Sequence, residues 1–139
     1  MTVPTPAQVL EQRRELLLKQ DVDGFVELFA PDGVIELPFA VPGMPSRLAG
    51  QQAIRDFSHR MDASPLRIDD LEATALYHTD DPEVVIIELA TRGTVTSTGR
   101  TFEGTSIQVF RIRGGKIVLF RDYFNVGGLQ DILAGGRPE

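Results

Sequence analysis

The chain has 139 residues, of which 42% are hydrophobic and 24% charged, and its formal net charge is −6 at pH 7. This length fits one domain, so we expect a single folded unit over residues 1–139. The acidic balance argues against nucleic-acid binding, which needs clustered Lys and Arg side chains. The absence of cysteine excludes disulfides and thiolate metal sites.

No stretch of the sequence is typical of a membrane segment or a targeting signal. No apolar run approaches the roughly 20 residues that a transmembrane helix needs. Residues 1–8 lack the basic start and the apolar run of a signal peptide. We therefore expect a cytoplasmic protein that does not bind a membrane.

Helical periodicity is found near the N-terminus. Apolar residues recur at helical spacing over 6–20, which predicts a first helix there. Asp21 is a typical N-cap and predicts a short second helix, which the Pro-Asp-Gly segment at 31–33 ends. Gly50 precedes a third helix. The apolar residues expected on the buried sides of the second and third helices are Phe25, Val26, Leu28, Phe29, Ala53, Ile54, Phe57 and Met61.

Strand signals follow, rich in Val, Ile, Thr, Phe and Tyr. A short strand is expected over 34–39 and a loop over 41–45, where two prolines and a glycine cannot join a ladder. Helices followed by an antiparallel meander predict an α+β fold. We expect a cone-shaped α+β barrel, in which a strongly curved, mostly antiparallel sheet wraps around three N-terminal helices. The longer strands are expected over 67–78, 84–96, 101–113 and 116–125, with a tight hairpin at 114–115 and a short helix or turn over 127–134.

Asp122 lies on an apolar face of the last predicted strand. Strand alternation places it on the same side as Val118, Phe120 and Phe124. An aspartate on such a face is costly without partners, and desolvation raises its pKa, so that it can act as an acid or base near neutral pH. The alternative is a structural aspartate that accepts hydrogen bonds or pairs with an arginine and keeps a low pKa.

Three segments together resemble the SnoaL-like branch of the nuclear transport factor 2-like superfamily. They are DVDGFVELFAPDGVIELPF, GQQAIRDF and TGRTFEGTSIQVFRIRGGKIVLFRDYFN, and the resemblance spans roughly residues 8–133 in the right order. It implies a cone-shaped fold with an apolar cavity. This fold hosts polyketide cyclases, ketosteroid isomerases, limonene-epoxide hydrolases, phenazine-biosynthesis proteins, and domains that only bind or dimerise, so it does not by itself assign an activity.

The resemblance can be tested residue by residue against two activities. The ketosteroid isomerase base, tyrosine and protonated aspartic acid map to Leu37, Arg13 and Gln108, so steroid isomerisation by that mechanism is rejected. The Arg and Asp of the epoxide hydrolases map to Leu89 and Thr91, and that pair is missing too. Their last-strand aspartate maps to Asp122, which is present. Polyketide cyclases also use an acidic residue in the late strands, so the resemblance implies one carboxylate in the pocket.

The other polar candidates each have two interpretations. Arg13 is either solvated on the first helix or a pocket cation that pairs with Asp122 or with an acidic or enolic substrate. Gln108 is expected to face the cavity and to orient a ligand carbonyl. Glu36, His59 and His78 are expected at the surface. We expect no metal site and no cofactor, because the two histidines lie at unrelated places.

The expected pocket wall is largely aromatic and aliphatic, as in many small-molecule sites. Met44, in the proline-rich loop, is a candidate lid residue. With Asp122 as the catalytic residue, the expected substrate-binding residues are Arg13, Phe25, Phe29, Leu37, Phe39, Met44, Phe57, Leu89, Gln108, Phe110, Phe120 and Phe124.

Two functional hypotheses remain open. The first is a cofactor-free cyclase, isomerase or hydrolase that acts on a small apolar metabolite through Asp122. The second is a domain that binds a ligand or dimerises without catalysis, as the missing catalytic residues favour. Both include a homodimer formed through the outer sheet face. The apolar residues expected on that face are Ile107, Val109, Leu119 and Tyr123.

Overall fold

The computed structural model describes residues 2–125, 128, 131 and 132. The helix or turn expected over 127–134 therefore lies largely outside the described residues. Among the described residues, no helix has the length and apolar content needed to cross a membrane. The elements, in chain order, are α1 (Pro6–Leu18), α2 (Val22–Glu27), β1 (Phe29–Glu36), β2 (Arg47–Ala49), α3 (Gln51–Asp62), β3 (Leu66–His78), β4 (Val84–Val95), β5 (Arg100–Arg113) and β6 (Lys116–Phe124).

The six strands form one sheet in the order β2-β1-β6-β5-β4-β3. The pairing of β1 with β6 is parallel, and the other neighbouring strands are antiparallel. Register shifts interrupt β3 twice and the β5–β6 ladder once. Such bulges bend strands and increase their twist, which lets the sheet curve around the helices. The predicted α+β class and the mostly antiparallel curved sheet are confirmed.

The first strand differs from its prediction. We expected a break at 31–33 and a strand over 34–39, whereas β1 begins at Phe29, runs through this segment and ends at Glu36. An irregularity in the pairing with β6 between Phe29 and Val34 accommodates Pro31, which has no N–H for the ladder. Phe29 therefore belongs to the strand and not to the second helix.

The edge strand β2 was not predicted. It has three residues, which is too short for a periodic pattern to indicate a strand. It pairs with the end of β1, and Leu48 lies opposite Ile35. Both side chains are buried, so this short strand closes one edge of the core.

The helix starts follow from local capping. The Thr5 hydroxyl accepts a 3.2 Å hydrogen bond from the Gln8 backbone, and the Gln8 side chain accepts one of 2.9 Å from the Thr5 backbone, which is a capping box. Asp21 accepts a 2.9 Å hydrogen bond from the Gly24 backbone, so the predicted N-cap of α2 is confirmed. Met61 was expected to be buried on α3, but it is 38% exposed, because it borders the open cavity between the helices and the sheet.

The core fills the space between the helices and the concave face of the sheet. Alternation on β4 is regular: Val85, Ile87 and Leu89 are buried, whereas Ile86 and Glu88 are partly exposed on the outer face. The helices contribute Val9, Val26 and Ile54 to the same core, each at most 1% exposed.

Gly93 provides a test of how tightly the sheet packs. A Cβ at this position would overlap the Phe102 ring and lie 2.5 Å from the Arg67 carbonyl oxygen. We expect Gly93→Ala to lower the free energy of unfolding by about 1–3 kcal/mol through overpacking. Urea unfolding measures this change.

Gly104 on β5 is the matched control. A Cβ there would meet no heavy atom within 4 Å. We expect Gly104→Ala to leave stability unchanged or slightly raised, because alanine loses less conformational freedom on folding. Equal destabilisation by both substitutions would contradict the packing argument.

Candidate active site

A cavity of about 580 Å³ opens between the helices and the concave face of the sheet. This volume lies within the range of small-molecule sites. Its wall is mostly apolar and is built from α1, α2, α3 and five of the strands. The apolar residues that enclose its middle include Leu16, Leu17, Val22, Phe25, Ile35, Leu37, Phe57, Ile68, Leu71, Leu89, Phe102 and Phe120.

Three polar side chains form one group within this wall. Asp122 on β6 lies directly across the ladder from Gln108 on β5, and Arg13 reaches the same region from α1. Gln108 and Arg13 are 4% and 3% exposed. Three of their buried atoms have no hydrogen-bond partner among the described residues: Asp122 Oδ1, Gln108 Oε1 and Arg13 Nε. Buried polar atoms are rarely unpaired, so these three are available to a ligand.

The position of Arg13 is set by aromatic contacts. Its guanidinium carbon lies 4.7 Å from the centroid of the Phe110 ring and 5.3 Å from that of Phe120. The two rings are stacked, with centroids 4.6 Å apart. This cation–π arrangement stabilises the charge without using up the hydrogen-bond donors of the side chain. Arg13 is therefore buried, and the solvated alternative is wrong.

The surroundings of Asp122 have features of both interpretations, because the carboxyl is buried in an apolar wall and also has polar partners. Burial raises the pKa of the Asp122 carboxyl to about 6, although a hydrogen bond from Gln108 and the positive charge of Arg13 both act to lower it. Burial likewise lowers the pKa of Arg13 to about 10, opposed by the negative charge of Asp122. Arg13 therefore stays cationic at neutral pH, and Asp122 titrates just below neutral pH. The rise in the pKa of Asp122 caused by desolvation is therefore larger than the lowering caused by Gln108 and Arg13.

Most of the residues predicted from the sequence lie on the cavity wall. Phe29 and Phe110 do not, since both are 0% exposed in the core behind it. Phe39 does not either: it is 61% exposed and packs edge-to-face on Tyr123, with ring centroids 5.7 Å apart. Strand alternation does not extend to Phe39, because β1 ends at Glu36. The predicted residues that line the cavity are Arg13, Phe25, Leu37, Met44, Phe57, Leu89, Gln108, Phe120, Asp122 and Phe124.

The remaining polar candidates lie away from the cavity. Glu36 forms a 2.9 Å ion pair with Arg121 on the neighbouring strand. The exposed His59 side chain is 3.2 Å from Asp23, and His78 is exposed at the end of β3. Among the residues that the structure describes, no three His, Asp or Glu side chains are grouped closely enough to hold a metal ion.

Sequence reasoning missed several wall residues that had a visible signal. Leu16 and Leu17 continue the stripe of α1 that begins at Val9, and Arg13 lies on that same stripe, four residues after Val9. Phe102 and Gln108 lie an even number of positions apart on β5, so both side chains face the cavity. Two acidic residues at the opening of the cavity, Asp21 and Asp62, carried no signal, because they come from different elements.

The raised pKa of Asp122 predicts how stability depends on pH. The folded protein binds this proton more tightly than the unfolded chain does, since the pKa rises from 3.8 to about 6. The stabilisation that this bound proton gives the folded protein is therefore present below about pH 4 and is lost as the pH rises through about 6. We expect Asp122→Asn to gain up to about 3 kcal/mol relative to wild type between about pH 4 and pH 7.

Urea unfolding of both proteins across this pH range measures the difference. Asp80→Asn is the control, because Asp80 is exposed and does not line the cavity. Parallel pH profiles for wild type and Asp122→Asn would contradict a desolvated carboxyl at this position.

Comparison with known proteins agrees with this architecture. The chain is 34% identical over 122 residues to an uncharacterised PhzA/B-like protein of Pseudomonas aeruginosa, covering 85% of this chain and 82% of that protein. A crystal structure of a putative isomerase from Bacillus subtilis has a TM-score of 0.87 and 28% identity, and the match covers 96% of this chain and 95% of the other.

A third similarity is to a structure that contains a ligand. The Mycobacterium tuberculosis protein RV0760c, solved in complex with estradiol-17β-hemisuccinate, has a TM-score of 0.71 and 20% identity over 86% of this chain and 92% of the other. This likeness shows a shared fold. The model of the SnoaL-like domain family matches residues 10–120. Because that match includes α2, α3, the core strands, and the positions of Arg13 and Gln108, the chain belongs to the SnoaL-like domain family.

Proposed function

We propose that the protein binds a small, mostly apolar organic molecule in this cavity and that Asp122 transfers a proton on it, acting as general base and then as general acid. One observation carries the proposal. The Asp122 carboxyl lies on an apolar wall, its Oδ1 has no hydrogen-bond partner in the part of the chain that the structure describes, and burial raises its pKa to about 6. A carboxylate tuned in this way accepts and returns protons efficiently near neutral pH.

The three polar side chains have complementary roles on an enolisable ketone. The ketone oxygen accepts a hydrogen bond from Arg13 Nε, and Asp122 removes a proton from the adjacent carbon. The positive charge of Arg13 stabilises the negative charge that develops on the oxygen, because the site is largely screened from water. Gln108 holds the Asp122 carboxyl in place through its hydrogen bond.

The proton on Asp122 then returns to the substrate. If the ketone carries a β,γ double bond, the enolate is a dienolate, and delivery of the proton to its γ carbon completes an isomerisation. Alternatively, the enolate attacks a second carbonyl of the same molecule, and Asp122 protonates the new alkoxide, which completes a cyclisation. The similarity to a structure described as a putative isomerase supports the first of these outcomes.

Hydrogen–deuterium exchange on 2-tetralone, an apolar ketone that enolises, tests the proton transfer. We expect the wild-type protein to accelerate exchange of the protons next to the carbonyl, as measured by NMR in D2O. The rate should rise as the pH passes through about 6 and then level off, because the ionised form of Asp122 is the base.

Asp122→Asn should reduce this exchange by on the order of a hundredfold or more, which is the usual contribution of a general base. The variant should still bind 2-tetralone, whereas the control Asp80→Asn should retain both properties. If wild type binds the ketone but does not accelerate exchange, the protein is a binding domain without this catalysis.

The outer face of the sheet supports a second proposal, a homodimer. Ile107 is 49% exposed there and lies opposite Tyr123, which Phe39 covers from the other side. Val109 and Leu119 share this face. Large apolar side chains are rarely left together in water on a monomer, and a two-fold dimer would cover them by pairing the same face on both subunits.

We expect wild type to have the mass of a dimer in solution and Ile107→Lys that of a monomer, because burying an unpaired ammonium at the interface is costly. Light scattering coupled to size exclusion measures both. Val3→Lys is the control, since Val3 is 59% exposed outside the sheet face. A monomeric wild type would refute the dimer.

A further inference from the structure

We propose that this cavity selects an uncharged ligand whose polar end carries a hydroxyl, as an apolar alcohol, a phenol or the enol form of a ketone does, and that it excludes carboxylates of the same skeleton. The inference rests on the binding step of the proposed function and adds the charge and the hydrogen-bonding chemistry of the ligand. Two separate features carry it, namely the acidic opening of the cavity and the unpaired atoms in its wall.

The opening of the cavity carries only negative charge on its described side chains. Asp21 and Asp62 line the cavity and are exposed, so they lie where it meets solvent. They come from the turn after α1 and the end of α3. Neither forms an ion pair with another described residue.

The only basic side chain among the described residues of the wall cannot offset this charge. Arg13 is buried well inside, and the charge of Asp122 already compensates its own. An anion that enters must therefore pass two carboxylates to reach a region with no net positive charge. Like charges around a narrow opening lower the local concentration of an anion and raise the free energy of binding it.

The unpaired atoms specify the polar end of the ligand. Asp122 Oδ1 and Gln108 Oε1 accept hydrogen bonds, whereas Arg13 Nε donates one. A hydroxyl both donates and accepts, so it can satisfy Arg13 together with one of the two oxygens. A carboxylate only accepts, so it would place its own oxygens against the two acceptors and leave them unpaired, which costs affinity.

Two fluorescent naphthalenes form a matched pair of probes. 2-Naphthol carries a hydroxyl, and 2-naphthoate carries a carboxylate at the same ring position. We expect wild type to bind 2-naphthol on the order of tenfold or more tightly than 2-naphthoate in low-salt buffer at neutral pH. Raising the salt concentration should reduce the ratio, since screening weakens the repulsion at the exposed opening.

A variant of the opening separates its contribution from that of the wall. Asp62→Asn should tighten binding of 2-naphthoate by about twofold to threefold and leave that of 2-naphthol unchanged. Asp21 is kept, because it caps α2. The control is Asp80→Asn, which removes one exposed charge outside the cavity wall and should leave the ratio unchanged.

Each outcome has a defined meaning. Binding of 2-naphthoate as tight as that of 2-naphthol would overturn the inference and leave the cavity a ligand site. A ratio that does not respond to the variant of the opening would overturn the role given to Asp62. If neither probe binds, the proposed binding function itself fails.

Discussion

A positive and a negative charge are held together inside an apolar cavity, and the properties of the site depend on that arrangement. An isolated buried charge would cost an appreciable part of the few kcal/mol by which a domain is stable. Arg13 keeps its charge because two stacked phenylalanine rings and the Asp122 carboxylate surround it. Asp122 has only partial compensation, since no direct ion pair joins it to Arg13. Its raised pKa is the consequence.

The rest of the fold holds these groups in place. The β5–β6 register sets Asp122 opposite Gln108, and the ladder hydrogen bonds fix the backbone from which both side chains project. Helix α1 is fastened over the sheet by the residue next to the buried arginine: Arg14 forms a 2.9 Å ion pair with Asp70 on β3. Adjacent arginines on one helix thus have different tasks, because successive residues point in directions about 100° apart.

The cavity combines an apolar wall, a small polar group and an acidic opening. The apolar wall supplies affinity for a carbon skeleton and lowers the local dielectric. That low dielectric raises the pKa of Asp122 and strengthens the action of Arg13 on a developing oxyanion. One physical cause therefore accounts for the proposed ligand binding, for the proposed proton transfer near neutral pH and for the expected loss of stability when Asp122 ionises.

The sequence by itself determined the α+β class, the four long strands and the cap of α2, because these follow from local periodicity and local hydrogen bonds. Alternation also placed Asp122 and Gln108 on the inner face. It could not find β2, which is too short for a pattern, or the course of β1 through Pro31, which depends on a bulge against β6. It also could not distinguish Phe110, which lies behind the cavity wall, from Phe120, which lies on that wall, since both side chains point inward.

Only the tertiary structure decided the state of Arg13 and the charge of the opening. Helical spacing put Arg13 in line with Val9, but a long cationic side chain on such a stripe can either turn toward solvent or remain inside. The aromatic pair and Asp122 come from strands about a hundred residues later in the chain. The acidic opening likewise joins residues that are distant in sequence, and long-range packing brings them together.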